Sequence, residues 1–186
     1  MITLSQMTAF STVRTLVATH TLTKALLLSL VIAMAAKVAI PFWPVPMTLH
    51  AFAVTTIALT ATRTVALASV IAYLAAIAIG LPVGASGAGL AYFAGPTGGY
   101  LIGFLPMVWV MGALKNTRMN ITELFFVSLA GQAVLYTCGV AWLSTGLGLT
   151  GAIAAGLVPF LLHIPASIAF ALFTKHILGQ IKNKAQ

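Results

Sequence analysis

Long apolar runs separated by short polar, proline-rich or glycine-rich breaks fill the chain from Lys24 onward. The first run, Lys24 to Ile40, must stop where Pro41, Pro44 and Pro46 follow, because proline disfavours helix at the residue before it. Phe42-Trp43-Pro44-Val45-Pro46 is then extended, with Trp43 suited to a membrane interface. A second run, Met47 to Ala61, is short for a full crossing, and Thr62-Arg63-Thr64 separates it from a third, Val65 to Ile79. The fourth, Thr97 to Leu114, ends in Lys115-Asn116-Thr117-Arg118-Met119-Asn120, the most polar stretch of the chain. The fifth covers Thr122 to Leu143, and Ser144-Thr145-Gly146-Leu147-Gly148 turns it back. The sixth begins between Gly151 and Pro165 and ends near Lys175, with Pro159 and Pro165 predicting a broken or kinked start.

This pattern predicts one all-α integral membrane domain, a six-transmembrane-helix bundle with each helix roughly 17 to 25 residues long. Residues 1–23 are expected to form a cytoplasmic or interfacial lead-in, 24–178 the bundle and 179–186 a basic tail. The first twenty residues lack a strong apolar core followed by a small-residue cleavage site, so a removed signal peptide is not expected.

Composition agrees with the pattern. A mean hydropathy of +1.10, with 61% hydrophobic and 5% charged residues, leaves too few polar groups to cover a water-soluble surface. The formal charge of +8 comes from nine Lys and Arg against one acid, Glu123. These charges sit at the ends of apolar runs without interleaved aromatics, so anionic lipid headgroups are the expected counterpart and nucleic acid is not. Arg14 and Lys24 precede the first span, Arg63 lies between the second and third, and Lys115 and Arg118 between the fourth and fifth. Lys175, Lys182 and Lys184 close the chain. With six spans all of these fall on one side, which the positive-inside rule makes the cytoplasm, together with both termini. Cys138 lies inside an apolar run with no second cysteine to pair with, and is expected to be inert packing.

The uncharged stretch from Gly80 to Tyr100 then faces outward. It holds seven of the chain's sixteen glycines, a density that lets backbone fold tightly and approach a ligand closely. Gly95-Pro96-Thr97-Gly98-Gly99 lacks the Gly-Lys-Ser/Thr ending of a phosphate-binding loop, so no nucleotide site is expected in this chain. No carboxylate pair exists, and His20, His50, His163 and His176 have no metal-ligand spacing. No Gly-x-Ser-x-Gly elbow surrounds any serine, and an enzyme is disfavoured.

The remaining polar groups converge, by topology, on the outer half. Lys37 lies one turn before Pro41 with no acidic partner nearby, so it either reaches outward to headgroups or attracts an anion such as a substrate carboxylate. His50, Gln132 and His163 lie in or beside apolar runs, with Thr48, Thr97, Tyr100 and Ser167 close in the topology. Singly, each would bond a neighbouring helix; together they make a mixed pocket for a small, partly polar molecule. On span one, Ala25, Ser29 and Ala33 recur every four residues, a spacing that admits either ordinary packing or close approach of a partner helix.

Pro44-Val45-Pro46-Met47-Thr48-Leu49, Gly80-Leu81-Pro82-Val83 and Gly95-Pro96-Thr97-Gly98-Gly99-Tyr100-Leu101 resemble the BioY family, the biotin-binding S component of energy-coupling factor (ECF) vitamin transporters. The likeness runs from about Lys24 to Lys175. It implies six helices, a vitamin site near the outer surface capped by the first and third connections, and span-one small residues Ala25, Ser29 and Ala33 against a transmembrane coupling protein. Two ATPase subunits would supply energy through that protein, and biotin would be the transported ligand. Site residues implied are Lys37, Trp43, Thr48, His50, Ser86, Tyr92, Thr97, Tyr100, Gln132, His163 and Ser167. The chain departs from the family pattern at His50, where Gln is common. It departs again after Pro159-Phe160, where an acid and a lysine are usual and Leu161-Leu162-His163 stands, and in the third-span loop, where Ser86 is the nearest polar group to a usual Asn. His163 is expected to replace the acid and Lys37 to supply the cation. The alternatives are the same scaffold for another small vitamin or precursor, and a structural membrane subunit that binds nothing.

Overall fold

The structure is a computed structural model and describes residues 4–41, 43–116 and 118–184. Its helices are α1 (Leu4–Lys37), α2 (His50–Thr60), α3 (Arg63–Ala78), α4 (Leu90–Ala94), α5 (Gly98–Leu114), α6 (Ile121–Gly156) and α7 (His163–Lys184). A 3-10 turn covers Val158–Phe160, and β1 (Ala39–Ile40) pairs antiparallel with β2 (Met47–Thr48). Among the described residues three segments are long and apolar enough to cross a membrane, Thr19–Lys37, Ile121–Phe160 and His163–Ile181, while α2, α3 and α5 are apolar but shorter. The chain is thus a multi-span membrane bundle of helices, with one two-stranded hairpin where the proline run was expected to be merely extended.

Three differences from the expected boundaries have physical reasons. Helix α1 already runs from Leu4, well before Lys24, because no proline or glycine interrupts the chain between them. The proline segment folds back on itself so that its backbone groups pair: Ala39 faces Thr48, Ile40 faces Met47, and Leu49 N donates to Val38 O at 3.2 Å. In apolar surroundings unpaired backbone groups are costly, and this hairpin fixes the end of α1 to the start of α2. Helix α6 continues through Ser144 to Leu147, and the break falls on Gly148 alone, which adopts φ 70° and ψ 165°. Thirteen residues of straight helix span about 20 Å, yet a β-carbon on Gly156 would lie 2.9 Å from the Leu143 side chain. The 149–156 leg therefore folds back along the first. The expected broken entry to the last span follows as this leg, the 3-10 turn and α7 in succession.

Close helix approach is built on glycine at the α5–α6 interface. A β-carbon on Gly103 would press on Cys138 and Leu135 at 3.0 and 3.3 Å, and one on Gly99 would overlap Trp142 and the Cys138 carbonyl. On α1, Ala25 is buried and Ala33 packs against the core. Ser29 and Ala33 are only half-buried, so Ala25 alone of the three is fully enclosed by the protein's own helices. Leu22, Leu26, Leu27, Leu30, Val31 and Met34 form the exposed apolar side of α1.

One end of the bundle gathers basic groups. Lys115 Nζ donates to three carbonyls of the last turn of α2 and the residue after it, Ala58 at 2.6 Å, Leu59 at 3.1 Å and Ala61 at 2.7 Å. Such terminal carbonyls have no helical partner and carry the negative end of the helix dipole. Arg63 lies over the Trp109 ring at 4.7 Å, and Asn120 and Glu123 close a capping box at the start of α6. Burial first, and the nearby Lys175 second, pull Lys115 down to about 8. Because the folded group holds its proton less tightly than the unfolded one, its contribution to stability rises as pH climbs from about 8 through the ordinary lysine value. Lys115→Met is expected to lower stability by about 2 kcal/mol, by leaving three carbonyls unpaired, and to flatten that rise; thermal unfolding in detergent across pH 7 to 10 measures both.

Candidate functional site

At the opposite end, the hairpin, the glycine-rich connection, α6 and the ends of α2, α5 and α7 enclose an open-mouthed cleft with a cavity volume of about 60 Å³. Val45, Pro46 and Thr48 come from the hairpin, His50 and Ala51 from α2, and Ala85 and Tyr92 from the glycine-rich connection. Thr97, Tyr100, Leu101 and Phe104 come from the start of α5, Leu135 and Tyr136 from α6, and Phe160 and His163 from the last turn.

The glycine-rich connection acts as a lid because its backbone folds around one ring. Gly84 and Gly87 lie flat against Tyr92, where a β-carbon on either would collide with the ring, and Gly80 and Gly89 take positive φ of 92° and 80°. Four bonds hold the lid down. Lys37 Nζ donates to Gly84 O at 2.6 Å, Tyr73 Oη to Val83 O at 3.4 Å, Trp142 Nε1 to Gly95 O at 3.0 Å, and Gly89 N to Ile77 O at 2.7 Å. Within the lid, Ser86 N donates to Tyr92 Oη at 3.5 Å.

The wall opposite the hairpin is aromatic. Tyr100 sits between Gly139 and Gly156, either of which would strike it if given a β-carbon, and its hydroxyl donates to Gly156 O at 2.7 Å. Tyr136 meets it edge-on at 6.0 Å, and Phe160 lies 5.8 Å from Tyr136. His163 is edge-on to Phe52 at 4.7 Å and its Nε2 donates to Thr48 O at 3.0 Å. A chain of bonds runs behind the hairpin. With Tyr73 Oη donating to Val83, His50 Nε2 donates to Tyr73 Oη at 2.5 Å and His50 Nδ1 accepts from the Thr48 hydroxyl at 2.9 Å.

Of the residues expected from sequence, Thr48, His50, Tyr92, Thr97, Tyr100 and His163 line the cleft. Lys37 does not line the cleft and bonds the lid's backbone. Gln132 and Ser167 form a buried knot away from the cleft lining: Gln132 Nε2 donates to Thr55 Oγ1 and Ser167 Oγ, both at 2.9 Å, tying α2, α6 and α7 together. Trp43 is 83% exposed and flanks a separate shallow groove with Trp142, and Ser86 is exposed on the lid. Tyr136 and Phe160 line the cleft and Tyr73 backs it; sequence reasoning missed all three. An aromatic residue inside an apolar run carries no signal of which face it takes.

No Lys, Arg, Asp or Glu lines the cleft. Among the described residues no group of three His, Cys, Asp or Glu comes together that could hold a metal ion. The surface is apolar and aromatic with a few hydroxyl and imidazole groups, suited to orienting a small, partly polar molecule. A membrane-spanning bundle with such a cleft under a lid at one end belongs to the class of small-molecule-binding membrane proteins.

The chain belongs to the BioY family, which it matches over residues 6–183. It is 32% identical over 149 residues to the probable biotin transporter BioY of Rickettsia prowazekii, covering 79% of this chain and 75% of that protein. It is 35% identical over 141 residues to the biotin transporter BioY of Thermotoga maritima, covering 75% and 83%. Among solved structures it is similar to the S-component for biotin from an ECF-type ABC transporter, with a TM-score of 0.73 at 28% identity over 89% of this chain and 92% of that one.

Proposed function

We propose that this chain is the substrate-binding membrane component of a biotin uptake transporter, a transport protein and not an enzyme. The observation that carries the reading is the lidded aromatic cleft at the end of the bundle away from the basic residues, in a chain of the BioY family. A bicyclic ring system with an aliphatic tail suits walls of Tyr100, Tyr136, Phe104 and Phe160, and the few polar groups, Thr48, Thr97 and His163, suit its polar end.

The reading includes six crossings in one domain. Helices α1, α3, α5, the first leg of α6 and α7 each cross, and α2, at about 16 Å, completes its crossing through the hairpin. Both termini and the Arg63, Lys115 and Arg118 turns lie in the cytoplasm, and the lid faces out. The membrane is the cytoplasmic membrane of a prokaryote. The solved structure it resembles is an S-component from an ECF-type ABC transporter, and this reading includes a transmembrane coupling protein and two ATPase subunits as partners. The exposed apolar side of α1 is the surface that would meet the coupling protein.

Uptake of labelled biotin by a biotin-requiring bacterium tests the proposal. Cells expressing this chain with coupling and ATPase subunits are expected to accumulate biotin, and unlabelled biotin to compete where thiamine and riboflavin do not. Competition by another vitamin instead of biotin would reassign the ligand; no uptake of any vitamin would remove the transport reading.

A further inference from the structure

At the basic end, between the start of α6 and the last turns of α7, lies an open cavity of about 400 Å³ that biotin binding does not use. Leu172, Lys175, His176 and Gly179 recur three or four residues apart on α7 and so share one face, and Met119, Ile121 and Leu124 meet them across the gap. Lys175 is half-buried, and among the described residues it has no hydrogen bond or ion pair. The chain's one acid is engaged elsewhere: Glu123 is exposed, and its Oε2 accepts from Asn120 N at 2.8 Å. Lys115 adds a second positive charge near enough to repel the first, and its own bonds go to the α2 carbonyls. A half-buried ammonium among apolar side chains, with only like charge near it, is costly, and an anion beside it offsets both the burial and the repulsion. At the rim, Gln180 Nε2 faces His176 Nε2 at 2.9 Å; the amide nitrogen can only donate, so the imidazole proton sits on the other ring nitrogen and provides a further donor.

We infer that this cavity holds one anionic glycerophospholipid, with Lys175 against the phosphate and an acyl chain along Met119, Ile121, Leu124 and Leu172. A free phosphate carries the charge but buries no apolar surface against those four side chains. A zwitterionic lipid has the chains but brings an ammonium of its own to a place that already holds two. Gly179 leaves room for the headgroup, since a β-carbon there would meet nothing within 4 Å. On the proposed orientation the lipid belongs to the cytoplasmic leaflet, at the end of the bundle away from the lid.

Native mass spectrometry of the purified full chain, titrated in detergent with phosphatidylglycerol and with phosphatidylcholine, tests the inference. Wild type is expected to retain one phosphatidylglycerol per chain with about tenfold preference over phosphatidylcholine, the worth of one charge-assisted bond. Lys175→Gln is expected to erase that preference. Gly179→Leu fills the cavity from a position with open space around it and keeps every charge, and it is expected to lose the bound lipid; the two variants reach the site independently, so a folding failure in one leaves the other to decide. Arg118→Gln removes an exposed cation at the same end that does not line the cavity, and is expected to change nothing. Equal retention of the two lipids, or retention that survives Gly179→Leu, would overturn the inference. So would an equal loss with Arg118→Gln and Lys175→Gln, which would mean diffuse attraction to the basic end, or displacement of the lipid by excess inorganic phosphate, which would mean a site for free anions.

Discussion

Gly139→Val is expected to raise the dissociation constant for biotin about 100-fold, equivalent to about 3 kcal/mol of forced repacking. A β-carbon at this position would fall on the Cδ1, Cε1 and Cζ atoms of Tyr100. The ring is held at its far end, where its hydroxyl abuts Gly156 and is fixed to the Gly156 carbonyl. It must move into the cleft that it lines, carrying the Tyr136 and Phe160 contacts with it. Gly146→Ala, in the same helix with open space around it, is expected to leave binding unchanged. Isothermal titration of the two variants side by side separates damage to the aromatic wall from a general effect of substituting a glycine in α6.

Lys37→Met has the second largest expected effect, and it falls on one rate constant. The ammonium bonds the Gly84 carbonyl, which belongs to the same backbone that wraps Tyr92 over the mouth. Removing that charge-assisted bond, worth about 1.5 to 3 kcal/mol, loosens the lid without altering the cleft walls. Dissociation of biotin is then expected to accelerate by about tenfold or more while association is nearly unchanged. Biotin methyl ester distinguishes this role from attraction of the substrate carboxylate. If Lys37 steadies the lid, the substitution speeds release of the ester as much as release of the acid; if it binds the carboxylate, only the acid is affected.

The parts legible in the sequence were those governed by local chemistry. Apolar runs gave the helices, Thr62 was the break that became the N-cap of α3, and the glycine-rich stretch became a lid. The positions of Arg63 and Lys115 put them at one end, away from the cleft. The parts that sequence left open depended on which way a side chain turns. Lys37 could be recognised as a cation needing a partner, yet nothing in the sequence says that the partner is a carbonyl 47 residues on. Gln132 could be read as a polar group that bonds a neighbouring helix or joins the pocket, but the sequence does not say that its partners are Thr55 and Ser167 in a knot away from the cleft lining. Ala25, Ser29 and Ala33 have a spacing that serves close packing within a bundle as well as between chains, and of the three only Ala25 is fully buried. Tyr73, Tyr136 and Phe160 were invisible because membrane helices carry aromatic residues on every face. The unpaired Nδ1 of His163 needs the fold outright, since it follows from the distance to Thr48 across 115 residues.

The account depends on one occupied cleft, and titration of biotin into the purified wild-type chain tests it most directly. It predicts saturable binding of one biotin per chain, weakened about 100-fold by Gly139→Val and untouched by Gly146→Ala. Binding that does not saturate, or that survives Gly139→Val at full strength, would place biotin somewhere other than beneath the lid.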